Sequence, residues 1–266
     1  MTAIHSMVVG RGDIPLVFIP GLFGQGKNWL SIAKRLGEEA TCLLVDPPNH
    51  GRSAWTQSFD YDAFADAIYT EIVRHEAFRD GFVLVGHSMG GKLAMRMALR
   101  HPESVRLLVV VDISPIAGHV GSQFGSLVAA LRGLDLAALG SRKQADELLA
   151  PDIPDPVTRG FLLQNLHHDR GAEPEWSWRM NLRLLGDSLD LVGAWTPTEA
   201  TYPGPVLWLA GARSTYVRPE HLPLMRGLFP RAVLVTIKDA GHWVHSEQPK
   251  AFVASLRAFL ALNYLG

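Results

Sequence analysis

The chain has 266 residues, 47% hydrophobic and 19% charged, a balance that excludes disorder and collagen-like repetition and supplies a sizeable core. Lys and Arg number 25 against 26 Asp and Glu, so the formal net charge is −1 and no basic field exists to attract nucleic acid. A lone Cys42 allows no internal disulfide, no Cys/His pairs stand at zinc-ligand spacing, and no apolar run nears the roughly 20 residues needed to span a bilayer, so a cytoplasmic protein without metal is expected.

Short β-branched runs bounded by turn residues begin at Leu16 to Ile19. They recur at Cys42 to Val45, Phe82 to Val85, Leu107 to Val111, Val206 to Leu209 and Val233 to Ile237. Being apolar on both faces, they predict strands of a covered parallel sheet. Amphipathic segments alternate with them: Asn28 to Leu36, Tyr61 to His75, Gly91 to Arg100 and Pro219 to Leu228. The order predicts an α/β fold, a mostly parallel central sheet with helices on both faces.

The alternation lapses between Ile116 and about Ala200. There Gln123 to Leu131, Arg142 to Leu149, Val157 to Leu166 and Glu175 to Leu185 read as helices, interrupted by the Pro-rich turn from Pro151 to Pro156. The expectation is one domain over 1–266 with a helical cap inserted at 116–200. The insert carries seven Lys/Arg against eleven Asp/Glu, a mild acidity that solvated surface explains. Its Trp176, Trp178 and Trp195 either form cap core or line an apolar acyl pocket.

Phe82 to Gly91 holds the densest chemistry. An apolar strand enters Gly86-x-Ser88-x-Gly90 and leaves as an amphipathic helix. A serine raised on so sharp a turn needs glycines two residues to either side, where a Cβ would clash. Ser88 is thereby the candidate nucleophile, and the backbone N–H of Met89, at a helix start, a candidate oxyanion donor. His87 lies within the motif, and its side chain is expected to point away and pack.

A serine hydroxyl needs a base to take its proton. Of eleven histidines, His242 is favoured, because it follows the last strand in Asp239-Ala240-Gly241-His242-Trp243, where Gly241 lets the loop turn back over the sheet edge. His245 is either a surface residue or a pocket wall. The acid is expected after the strand Val206 to Leu209, but the stretch from Ala210 to Arg218 has no carboxylate, and Ser214 stands where one belongs. One strand earlier, Asp112 follows Leu107 to Val111. Strands about 4.8 Å apart still allow it to meet the histidine, and the order Ser88, Asp112, His242 suits this type of site. Glu220 and Asp239 are the rivals. Ser214 either bonds beside the acid or is a turn residue. The loop Pro20-Gly21-Leu22-Phe23-Gly24 offers the N–H of Leu22 as the second oxyanion donor.

At these residues the chain resembles the α/β-hydrolase superfamily, and within it the small cofactor-free esterases near the haloperoxidase-like hydrolases. The likeness covers most of the chain: Pro20 to Gly24 with Lys27-Asn28-Trp29, Asp46 with Asn49 to Ser53, Gly86 to Lys92, Val111 to Pro115, Trp178-Arg179 with Asn181-Leu182, Ser214 to Val217 and Ala240 to Ser246. In that subgroup the acid lies after the sixth strand of the family's sheet, which maps onto Asp112, and a serine takes the usual acid position, which maps onto Ser214. One departure is Pro20-Gly21, where relatives carry His-Gly.

The function expected is a serine hydrolase of small-molecule carboxylic esters of short to medium acyl chain, working through an acyl-enzyme without an organic cofactor. Thioester or peracid chemistry on the same triad is the alternative within the fold, and a non-catalytic ligand-binding protein the alternative outside it.

Overall fold

The computed structural model describes residues 2–118 and 120–264, with side-chain surroundings omitted at 120–123. In chain order the core opens with β1 (Ser6–Val9), β2 (Ile14–Ile19), α1 (Leu30–Leu36), β3 (Ala40–Val45) and α2 (Tyr61–Ile72). It continues with β4 (Phe82–His87), α3 (Met89–Arg100) and β5 (Val105–Val111). The insert follows as α4 (Val120–Arg132), α5 (Arg142–Leu149), α6 (Pro156–Leu163), β6 (Leu166–His168), β7 (Trp176–Trp178), α7 (Leu182–Asp187) and α8 (Leu189–Gly193). The core closes with β8 (Val206–Gly211), α9 (Leu222–Leu228), β9 (Ala232–Ile237), α10 (Val244–Glu247) and α11 (Pro249–Asn263).

Seven strands form one sheet in the order β1-β3-β2-β4-β5-β8-β9, with β1 antiparallel to β3 and every other pair parallel. Because side chains alternate along a strand, each central strand feeds two cores. Leu16 and Phe18 of β2, with Val83 and Val85 of β4, pack under α1 and α11. Val17, Ile19, Phe82 and Leu84 pack with α2, α3 and the insert on the other face. Insert residues such as Leu163, Leu166, Trp176 and Met180 belong to that second cluster, so the insert closes over the sheet rather than standing apart from it.

The sequence pattern misplaces three features. β1 was not anticipated; it is a short, partly exposed strand on the sheet edge. Its opposite number β9 is not covered on both faces: Val233 and Leu234 are exposed, β9 being the last strand of the sheet. The insert is not wholly helical either. β6 and β7 pair antiparallel with Leu166 opposite Trp178, and the segment read as a helix from Glu175 starts as a strand. The alternation of Trp176-Ser177-Trp178 suits a pleat, and the helix begins only after Asn181, whose side chain accepts from Leu184 N at 3.2 Å as its N-cap.

Parallel pairing brings one set of strand ends to a common edge. His87 lies opposite Val111, Val111 opposite Leu209, and Gly211 opposite Ile237. Ser88, Asp112 and the loops after β8 and β9 therefore emerge side by side at the carboxyl edge, where α/β sheets carry their sites.

Candidate active site

Ser88 sits at φ 53° and ψ −121°, a backbone conformation that L-residues rarely adopt. Its N–H donates to Val111 O at 3.0 Å, and its carbonyl accepts from Gly91 N at 2.8 Å, which locks the turn between β4 and α3. A Cβ on Gly86 would lie 2.1 Å from Gly90 O, and one on Gly90 would lie 2.3 Å from Pro20 O, so both glycines are obligatory. The first also shows how closely the two flanks of the turn approach each other. The second shows that the Pro20–Gly21 loop lies directly on the start of α3.

Asp112, fully buried, follows β5 at φ 50°. Its Oδ1 accepts from Gly211 N at 3.0 Å. Its Oδ2 accepts from His242 Nδ1 at 2.8 Å and from the Ser214 hydroxyl in a short contact. Ser214 Oγ in turn accepts from Tyr216 N at 3.3 Å, which directs the hydroxyl proton toward the carboxylate. Of the rivals, Glu220 pairs with Arg218, and Asp239 engages its neighbours through its carbonyl. A carboxylate can only accept, so His242 carries its proton on Nδ1 and leaves the Nε2 lone pair available.

Two rings flank His242. Tyr216 stacks on it at 4.0 Å between centroids and 20° between planes. His87 lies 4.7 Å away and donates from Nε2 to the His242 carbonyl at 2.9 Å. His87 thus packs beside His242 and borders the cavity at Ser88. Burial, followed by the nearby His242 and His245, holds its pKa well below the usual histidine value, so it remains a neutral donor. His245 stacks on Trp29 at 4.0 Å, and burial pushes its pKa down to about 3.

Two cavities meet at Ser88. One, of about 40 Å³, is bordered by Leu22, His87, Phe124, Phe161, His242 and Trp243, with His245 in its wall. The other, of about 20 Å³, is bordered by Leu22, Met89, Lys92, Ile113, Val192 and Tyr216. Leu22 and Met89 border this space together with Ser88. The Met89 N–H, in the first turn of α3, has no acceptor within its helix.

The three tryptophans lie elsewhere. Trp176 is buried and stacks on His168 at 4.4 Å, Trp178 packs on the core, and Trp195 lies under Arg96 at 5.6 Å. None borders either cavity at Ser88. The apolar lining is instead supplied by Phe124 of α4, Phe161 of α6 and Trp243. Phe161 lies at the α6 position that periodicity alone marks as helical, and nothing in its local sequence distinguishes it from packing.

The insert is tied to the loop over Ser88. Asn165 donates to Phe23 O at 2.8 Å and accepts from Gln25 Nε2 at 2.6 Å, while Asn28 donates to Gln164 Oε1 at 2.8 Å. Asn181 donates to Asn49 Oδ1 at 3.1 Å. Lys92, buried in α3, donates to Gly193 O at 2.6 Å and Ala194 O at 2.9 Å, and burial lowers its pKa to about 8. Among the described residues no cluster of His, Cys, Asp and Glu could hold a metal ion, and no helix is long and apolar enough to cross a membrane.

A family model described as alpha/beta hydrolase fold matches residues 14–249. The chain is 38% identical over 264 residues to sn-1-specific diacylglycerol lipase ABHD11 of Mus musculus, covering 97% of this chain and 84% of that one. It is 28% identical over 250 residues to Esterase YbfF of Escherichia coli (strain K12), covering 94% of each. Among solved structures, a marine microorganism esterase superposes with a TM-score of 0.92 at 31% identity, covering 98% of this chain and 100% of that one. The chain belongs to the α/β-hydrolase family.

Proposed function

We infer that this carboxylic ester hydrolase cleaves esters of short to medium acyl chain through Ser88, His242 and Asp112. The observation that carries the reading is the aligned emergence of Ser88 and Asp112 at the sheet edge, with His242 Nδ1 held 2.8 Å from the Asp112 carboxylate. That bond fixes the tautomer a general base requires.

Ser88 Oγ attacks the ester carbonyl while its proton passes to His242 Nε2. The carbonyl π electrons move onto oxygen, and that oxyanion takes hydrogen bonds from the N–H groups of Leu22 and Met89. Collapse breaks the ester bond, and the alcohol leaves with the proton from His242. Water then attacks the acyl-Ser88 ester by the same steps in reverse, releasing the carboxylic acid and restoring the hydroxyl. Asp112 stabilises the imidazolium that forms twice in the cycle.

The width of the cavity at Ser88 supports the chain-length part of the reading. A water needs on the order of 10–15 Å³ by this measure, and about 40 Å³ beside Phe124 and Phe161 accommodates only a few carbon atoms. Initial rates on p-nitrophenyl esters from acetate to palmitate, with Ser88→Ala in parallel, test this reading. The expected result is a maximum at short chains that vanishes in the variant. No cleavage of any ester, or equal rates in wild type and variant, overturns it.

A further inference from the structure

A second and larger cavity, of about 580 Å³, opens where the insert meets the sheet, and its border differs in kind from that of the site. Lys27 reaches it from the loop after β2, Arg52 from the loop after β3, Arg142 from the start of α5, and Arg179 from the segment after β7. None of the four forms a salt bridge among the described residues, whereas Arg96, Arg100, Arg132, Arg159, Arg213 and Arg257 all do. The cavity's single carboxylate, Asp46, is already engaged by Gly26 N at 2.7 Å, Arg52 N at 2.9 Å and His5 Nδ1 at 3.0 Å. Four cations from four segments therefore converge on one space with one carboxylate to offset them.

The guanidinium groups are also positioned in advance. Arg142 donates to Leu166 O in a short contact, and Arg179 donates to the His167 ring at 2.9 Å. Each keeps further N–H donors, and a planar fork of such donors matches the oxygens of a phosphate. Burial, then the charge of Arg179, with lesser contributions from Arg142 and Arg52, lowers the Lys27 pKa. The positive charges are therefore close enough to repel one another.

We propose that this cleft is a binding site for a phosphate group, one bearing two or more negative charges, seated between Lys27 and Arg52 of the core and Arg142 and Arg179 of the insert. A single carboxylate ligand leaves the excess of positive charge largely uncompensated, whereas a pyrophosphate or phosphomonoester removes most of it. The site lies across the Gln25–Asn165 and Asn28–Gln164 contacts from the cavity at Ser88, so the phosphate is either free in solution or carried on the alcohol portion of an ester.

Titration calorimetry with inorganic pyrophosphate, on wild type and on Lys27→Gln/Arg179→Gln, decides the matter without reference to ester hydrolysis. Saturable binding that weakens about tenfold or more in the double variant is expected; no binding, or equal affinity in both proteins, overturns the site. Unchanged turnover of p-nitrophenyl butyrate shows that the variant is folded. A second comparison, resting on the esterase reading, sets 1-butyrylglycerol 3-phosphate against 1-butyrylglycerol. A kcat/KM preference for the former that disappears in the double variant places the phosphate on the substrate. Pyrophosphate binding without that preference places the phosphate in solution, and either result upholds the cleft as a phosphate site.

Discussion

The hydroxyl of Ser214 and the Nδ1–H of His242 converge on the same oxygen of Asp112. Oδ2 thus carries two donors while Oδ1 takes the Gly211 amide, so both oxygens of this buried carboxylate are engaged. Asp112→Asn replaces an acceptor by an amide that cannot satisfy both donors, and turnover is expected to fall by about four orders of magnitude, as for a triad acid. Near-normal kcat in that variant removes Asp112 from the mechanism.

Ser214→Ala deletes one of the two donors and leaves the other. A hydrogen bond to a charged group contributes about 1.5–3 kcal/mol, so urea unfolding should show a loss of that size. The kcat should drop far less than in Asp112→Asn, because His242 Nδ1 keeps its acceptor.

Ser88 occupies a backbone region that costs a non-glycine residue about 1–3 kcal/mol. Ser88→Gly should therefore raise stability by about 1 kcal/mol in urea denaturation while abolishing turnover. A destabilised Gly variant contradicts the strain at φ 53°.

Acid should unfold this protein through its buried imidazoles. Burial lowers the pKa of His50 to about 4 and that of His245 to about 3, both from 6.5. Between those values and 6.5 the unfolded chain binds more protons than the folded one, so stability is full above pH 6.5 and lost as pH falls toward 4 and then 3. His245→Phe, which retains a ring against Trp29, should flatten the fall in urea midpoint between pH 6.5 and 4.

Phe161→Ala should move acyl preference upward. Each buried methylene contributes about 0.8 kcal/mol, so the two more that hexanoate carries raise it over butyrate by about an order of magnitude in kcat/KM. An unaltered chain-length profile excludes Phe161 from the acyl wall.

The parts of this site that the sequence disclosed are those written in adjacent residues. Gly86, Ser88 and Gly90 announce a strained turn because only backbone geometry explains the pair of glycines. Asp112 could be singled out because no carboxylate follows β8, and its meeting with Ser214 depended only on the pairing of β5 with β8. The lining did not disclose itself: Phe124 and Phe161 come from helices whose orientation depends on tertiary packing, while the three tryptophans of the insert pack away from Ser88. The β6–β7 hairpin was hidden by its brevity, since three residues give no period. The cationic cleft was illegible for a related reason, as its four charges stand at positions 27, 52, 142 and 179 and no local motif joins them.

The Gln25–Asn165 contact joins the insert to the loop that carries Leu22. Asn165 belongs to the insert, and its side chain holds the carbonyl of Phe23, the residue after Leu22. Displacing Asn165 would release that carbonyl, so the shape of the loop depends on the insert staying seated. If Leu22 is the oxyanion donor proposed above, its backbone is therefore set by the insert as well as by the sheet.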